Sequence, residues 1–175
     1  MASLKDLTPP NNIAAEKAAL GALLLNWDAV GNIISFLRPV NFYSLQNQKI
    51  FTAILSLYSN NVRGDIITLI EELRSKGELE AAGGEAYIAS LTSEVPTSEN
   101  IEYYAKKVLD TSLRRELIHV AQKMIADSHN DSIESDTTLE NSQNQLMTLA
   151  DGNISSEYKM ASQLVLPALD AIEEM

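Results

Sequence analysis

Apolar residues return every three or four positions along almost the whole chain, and no stretch alternates as a half-buried strand would, so the pattern predicts an all-α fold. Pro9 and Pro10 exclude helix and Asn12 is a good N-cap, which starts a first helix at Ile13 with Glu16 near the positive end of its dipole. Leu20, Leu23 and Leu24 form its buried stripe. Gly21 costs about 1 kcal/mol relative to Ala inside this helix. Either another backbone approaches closely there, or the glycine is merely tolerated.

Asn26 is placed to cap a second helix with Val30, Ile33, Ile34 and Leu37 on one face, ended by Pro39. Ser44 caps a third, turning Phe51, Ile54, Leu55 and Tyr58 inward, before a turn at Asn60, Asn61 and Gly64. Thr68 and Glu71 read as a capping box for a fourth helix that runs through Lys76 and stops at Gly77. Gly83 and Gly84 precede a fifth with Tyr87, Ile88 and Leu91 inward. Pro96 closes this small helical globular region, 13–95, which follows a tail of 1–12.

A long helix then runs from Thr97 or Ser98 to about Asp127, with Ile101, Ala105, Val108, Leu109, Leu113, Leu117, Val120 and Met124 as its apolar ridge. After the polar joint SHNDSIESD, Thr137 and Glu140 read as a second capping box, for a helix carrying Leu139, Leu146 and Leu149 and ended by Gly152. Two helices with a short joint make an extended antiparallel hairpin over 96–152. Such a hairpin cannot bury both its faces by itself, so a partner chain is the simplest completion. The candidate subunit-interface residues are Ile101, Val108, Leu113, Leu117, Val120, Met124, Leu139, Leu146 and Leu149. Residues 153–161 read as a linker, and 162–175 as a terminal amphipathic helix with Leu164, Val165, Leu169 and Ile172 left to cover something outside it. Pro167 kinks that helix or delays its start.

Composition narrows the chemistry. The chain has no cysteine, which excludes disulfides and thiolate chemistry and removes the usual ligands of a structural zinc. No apolar run approaches the ~20 residues that span a bilayer, and the N-terminus lacks the order of a signal peptide, so a soluble cytoplasmic protein is expected. Thirteen Lys and Arg against twenty-four Asp and Glu give a net charge of -11, which opposes strong direct binding of nucleic acid. The region after Lys123 has ten acids and one base, Lys159, and reads as a solvated acidic stretch.

No motif for catalysis emerges. There is neither GxxxxGK[ST] nor GxGxxG, so nucleotide hydrolysis is not encoded in these residues. His119 and His129 are ten apart, a poor basis for a metal site, and paired acids such as Glu71 with Glu72 do not face each other on a helix. Lys106, Lys107, Arg114, Arg115 and Lys123 do not form one stripe at 100° per residue, and pairing with Glu102, Asp110 and Glu116 is the favoured reading. No catalytic, cofactor-binding or metal-binding residue is assigned.

Six segments in order, PPNNIAAEKAALGALLL, NFY with KIF, DIITLIEEL, GGEAYIASL, VPTSENIEYYAKKV and LRRELIHVA, resemble the N-terminal part of the bacterial replicative DNA helicase, the DnaB family. The resemblance covers nearly the whole chain, and its departures are modest: Asn41 stands where an acid usually precedes Phe-Tyr, and QNQK replaces a His or Arg region. It implies a non-catalytic collar domain of a ring-shaped hexamer, with the hairpin pairing subunits into dimers and a trimer of dimers. The ATP- and magnesium-dependent motor would lie in a C-terminal domain absent from this chain. The terminal segment would begin the linker helix that docks on a neighbouring motor domain, with the chain cut in or just after it.

The resemblance also implies docking of the helicase-binding domain of primase, and of a helicase loader or phage protein. Ile118 and Ile125, seven apart and offset from the Leu117 and Met124 ridge, form a second apolar surface and with Tyr87 are candidate partner contacts; ordinary core packing is the alternative. A different reading is a stand-alone phage or plasmid helical adaptor that binds helicase or primase.

Overall fold

A computed structural model of the chain describes residues 8–93, 95 and 97–151. They divide into two compact units, one of Asn11–Ser112 and one of residues 8–10 and 113–151. Among the described residues there are helices and turns and no strand, as the hydrophobic period requires. Gly152, Pro167 and the docking candidates Leu164, Val165, Leu169 and Ile172 lie outside the described residues, as do Glu94 and Pro96.

In the larger unit α1 (Ile13–Leu25) is capped by Asn12, whose Oδ1 accepts the Ala15 N–H at 2.9 Å. Its burial is broader than the expected stripe, because Ala15, Glu16, Ala19, Gly21 and Ala22 are buried together with the three leucines. Small residues on the faces between the leucines let α3 (Leu45–Ser59), α5 (Gly84–Ser93) and the 3-10 turn Ser98–Asn100 pack against α1 from different sides.

The segment after α1 departs from a single capped helix. Asn26 closes α1 through its N–H to the Ala22 carbonyl and makes no side-chain cap. A 3-10 turn, Trp27–Ala29, precedes the five-residue α2 (Val30–Ile34), so the chain leaves helix well before Pro39, and Pro39 opens the next 3-10 turn, Pro39–Asn41. Val30, Ile33 and Leu37 are nevertheless buried, and Ile34 is half-buried. Core position here follows side-chain spacing more than helix continuity.

Ser44 caps α3 as expected, through the Asn47 N–H. The inward face is Asn47, Ile50, Phe51, Ala53, Ile54 and Leu57, with Phe51 stacked at a tilt on Phe42 at 5.0 Å. Tyr58 is 39% exposed and Leu55 half-buried, because the buried arc is centred one position nearer the N-terminus than expected. Asn61, at φ 57°, ends the helix with Val62 N–H bonded to the Leu57 carbonyl and its own N–H to Tyr58.

The cap of α4 (Ile66–Ser75) is Asp65, and Thr68 is its N3 partner where a Thr68 and Glu71 box was expected. Asp65 Oδ1 accepts the Thr68 N–H at 2.8 Å while Thr68 Oγ1 accepts the Asp65 N–H at 2.7 Å. Asp is a stronger cap than Thr, so the helix starts three residues early. Gly77, at φ 68°, ends it as expected, with its N–H on the Arg74 carbonyl and the Glu78 N–H on that of Leu73.

The larger unit continues past Val95. Thr97 caps the turn Ser98–Asn100, which leads into α6 (Ile101–Ser128), and Ile101, Ala105 and Val108 from the first turns of α6 are buried. In the smaller unit the later part of α6 is joined to a seventh helix, α7 (135–151), by the joint 129–134, where Asn130 Oδ1 accepts the Ser132 N–H at 3.1 Å. The Thr138 N–H reaches the Glu134 carbonyl, so Thr137 lies inside α7 and does not cap it. Val120 of α6 and Ser142 of α7 are buried in this unit.

Candidate functional site

The larger unit contains a buried polar bridge that the apolar pattern did not reveal. Glu16, wholly buried on α1, accepts the Tyr43 N–H at 2.6 Å on one carboxylate oxygen. Its other oxygen accepts the Ser44 N–H at 3.2 Å and Asn47 Nδ2 at 2.8 Å. Tyr87 of α5 then donates its hydroxyl to Asn47 Oδ1 at 2.7 Å, and Lys17 Nζ lies 5.3 Å from the centre of the Tyr87 ring. The partner-contact candidate Tyr87 is therefore half-buried, with its hydroxyl committed to a bridge between α1, α3 and α5. A charged residue among the apolar positions of α1 was the available signal, because a buried carboxylate must be fully hydrogen-bonded.

The smaller unit carries two open apolar grooves. Met124, Leu139, Ser142, Gln143, Leu146, Met147 and Ala150 line the first. Leu139 is 68% exposed, Met147 55% and Leu146 42%, an unusual concentration on one small unit. Met147 was not among the expected interface residues; it follows Leu146 directly in α7. The second groove is lined by Thr8, Pro9 and Pro10 together with Arg115, Glu116, Ile118, His119, Ala121, Gln122 and Ile125. Arg115 Nη1 donates to the Pro10 carbonyl at 2.9 Å.

These positions sort the candidates. Ile118 and Ile125 are 44% and 50% exposed and line the second groove. Leu139, Leu146 and Met124 share the first groove, and Leu117 is also exposed. Leu113 and Leu149 are half-buried. Ile101, Val108 and Val120 are buried within the single chain. A helix ridge contains residues that pack inside and residues that pack outside, and periodicity does not separate them.

Among the described residues no three His, Cys, Asp or Glu side chains group as metal ligands would, and no helix is long and apolar enough to cross a membrane.

The helical globule followed by an apolar-surfaced hairpin is the architecture of a known class of domain. The model of the DnaB-like helicase N terminal domain matches residues 8–110, and the chain belongs to that family. It is 38% identical over 170 residues to the replicative DNA helicase DnaB of Treponema pallidum (strain Nichols), covering 97% of this chain and 39% of that protein. It is 34% identical over 172 residues to the replicative DNA helicase DnaC of Bacillus subtilis (strain 168), covering 98% of this chain and 38% of that one. The chain thus spans about two-fifths of the length of these relatives.

Among solved structures, the crystal structure of the N-terminal domain of DnaB helicase from Mycobacterium tuberculosis superposes with a TM-score of 0.74 at 32% identity, covering 81% of this chain and 99% of that one. A DnaB-like replicative helicase, described with its interactions with primase, shares the fold at a TM-score of 0.65 and 20% identity, covering 79% of this chain and 31% of that one.

Proposed function

We propose that this chain is the collar region of a hexameric replicative DNA helicase, and that it assembles subunits and receives primase without catalysing a reaction itself. The longer protein would unwind DNA at the replication fork inside the cell, using ATP and magnesium held in a C-terminal motor domain. The observation that carries the reading is the exposed apolar groove of Leu139, Leu146 and Met147 with Met124, on a hairpin unit in a chain of this family. An exposed apolar surface of this kind on a helical hairpin is best relieved by a second copy, which supports pairing into dimers and a trimer of dimers.

The second groove, with Ile118 and Ile125, is the surface offered to primase, and a helicase loader is a further visitor to the collar. The terminal segment with Leu164, Val165, Leu169 and Ile172 would serve the neighbouring motor domain. The net charge of -11 supports a role in protein contacts and not in direct strong contact with DNA.

Sedimentation of the chain across micromolar concentrations tests the assembly role. Reversible self-association without ATPase activity is expected, and a strictly monomeric species at the highest concentration counts against it. Pull-down of primase by the chain and by its Ile118→Ser/Ile125→Ser variant tests the docking role; equal capture by both discards that groove.

A further inference from the structure

We infer that a pocket on the larger unit, between the start of α1 and the start of α6, binds an acidic peptide segment that carries an aromatic side chain. The site shares no residue with the two grooves above, and it adds a contact that neither the assembly role nor the primase-docking role uses. Its form follows from residue size. On α1, Ala14, Ala15 and Ala18 line one side together with Asn12, and on α6 Tyr103, Tyr104 and Lys107 line the other. Ala14 and Ala18 are four apart, as are Tyr103 and Lys107, so each pair lies on one helix face. Alanine side chains are too short to reach across to the tyrosines, and a space of about 320 Å³ is left.

The lining selects the occupant. Ligand pockets run from about 300 to 1,000 Å³, and one at the lower end of that range holds a single ring and not a large cofactor. Tyr103 is 59% exposed and meets the Tyr104 ring edge to face, with centroids 5.9 Å apart and planes at 71°. An exposed tyrosine gives an incoming aromatic ring a stacking partner, and aromatic anchors of this kind carry much of the energy of a contact. Lys107 supplies the charge. Its Nζ lies 5.6 Å from the centre of the Tyr103 ring and makes no ion pair among the described residues, whereas its neighbour Lys106 is paired with Glu102. No carboxylate lines the pocket among the described residues, so an acid next to the bound ring would meet the Lys107 ammonium. Tyrosine and lysine also suit a base and a phosphate. Nucleic-acid affinity, however, grows with the number of phosphates neutralised, and one lysine in a chain of net charge -11 favours the peptide.

Chemical-shift titration of the isotope-labelled 175-residue chain tests the site, with short blocked peptides as probes and melting temperatures checked for each variant. Asp-Asp-Phe-Asp-Asp should move the amide signals of Ala14, Ala18, Tyr103 and Lys107 saturably. Asp-Asp-Ala-Asp-Asp and Lys-Lys-Phe-Lys-Lys should each bind about tenfold more weakly or worse. Ala14 is exposed and Leu is nearly as good a helix former as Ala, so Ala14→Leu should fill the pocket and abolish binding in a folded chain. Lys107→Glu should reverse the preference, losing Asp-Asp-Phe-Asp-Asp by about tenfold and gaining Lys-Lys-Phe-Lys-Lys, a switch that mere loss of structure does not produce. No saturable movement of these signals at millimolar peptide overturns the inference, and so does equal binding of the alanine peptide. Oligothymidylate moving the same signals more strongly than the acidic peptide would make this a nucleic-acid site. Altered self-association of Ala14→Leu or Lys107→Glu without peptide would make it a subunit contact. Either result overturns the acidic-peptide site and leaves the primase-docking role untouched.

Discussion

The backbone of Leu91 on α5 passes so close to Gly21 on α1 that a Cβ added to the glycine would lie 2.8 Å from the Leu91 carbonyl carbon and closer still to its oxygen. Helix crossing at this separation is possible only because residue 21 has no side chain. Gly21→Ala gains about 1 kcal/mol in helix propensity and meets backbone that has no rotamer to move, so overpacking of about 1–3 kcal/mol dominates. Urea denaturation should show a net loss of stability. A stabilised variant would show that α5 can withdraw without cost.

Glu16 is the polar counterpart of that contact. Glu16→Gln keeps the shape of the side chain but replaces one acceptor oxygen by a donor, facing the Tyr43 and Ser44 N–H groups and Asn47 Nδ2. A buried donor left against donors costs about 1–3 kcal/mol. Chemical denaturation of the variant should show that loss. The amide protons of Tyr43 and Ser44 should also exchange faster, and unchanged exchange at both would remove Glu16 from the role of capping the start of α3.

The cap of α4 makes stability depend on acid. The Thr68 backbone N–H, followed by its hydroxyl, holds the Asp65 carboxyl below its ordinary value of 3.8. A carboxylate whose folded value is depressed contributes its stability fully above the ordinary value and loses it as pH falls through the folded one. Asp65→Ala should therefore cost about 1 kcal/mol near neutral pH. The gap between variant and parent should close as the pH is lowered below 3.8. Denaturation curves at a series of acidic pH values check this, and a gap that stays constant would assign the effect to something other than the carboxylate.

Gly21 also marks how far the sequence alone could be followed. A helix-interior glycine signals a close approach, but which element approaches depends on a contact seventy residues away in the chain. Helix existence was legible throughout, because the 3.6 period extends over many residues. Starting points were legible where one strong cap stood alone, at Asn12 and Ser44, and not where two polar residues competed, as Asp65 did with Thr68. Of the candidate site, Ile118 and Ile125 could be found from their offset on the helical wheel. Their neighbours Pro9 and Pro10 could not, since that contact spans more than a hundred residues of chain. Periodicity likewise could not separate Ile101 and Val108, buried in the larger unit, from Leu117 on the same ridge, which is exposed.

The groove on α7 gives the sharpest test of assembly, because its residues are exposed enough to change without unfolding the chain. Leu139 and Met147 have most of their surface in water already, so Leu139→Glu/Met147→Glu removes little from the single-chain core. If this groove is the subunit contact, two carboxylates from each copy would have to be desolvated on association, at a cost of several kcal/mol. Sedimentation should then find the variant monomeric at concentrations where the parent associates, with melting of the larger unit unaffected. Parent-like association would move the contact elsewhere on the hairpin, to the exposed Leu117 side of α6. Loss of association together with unfolding would instead make the two residues part of the hairpin's own packing, contrary to their exposure.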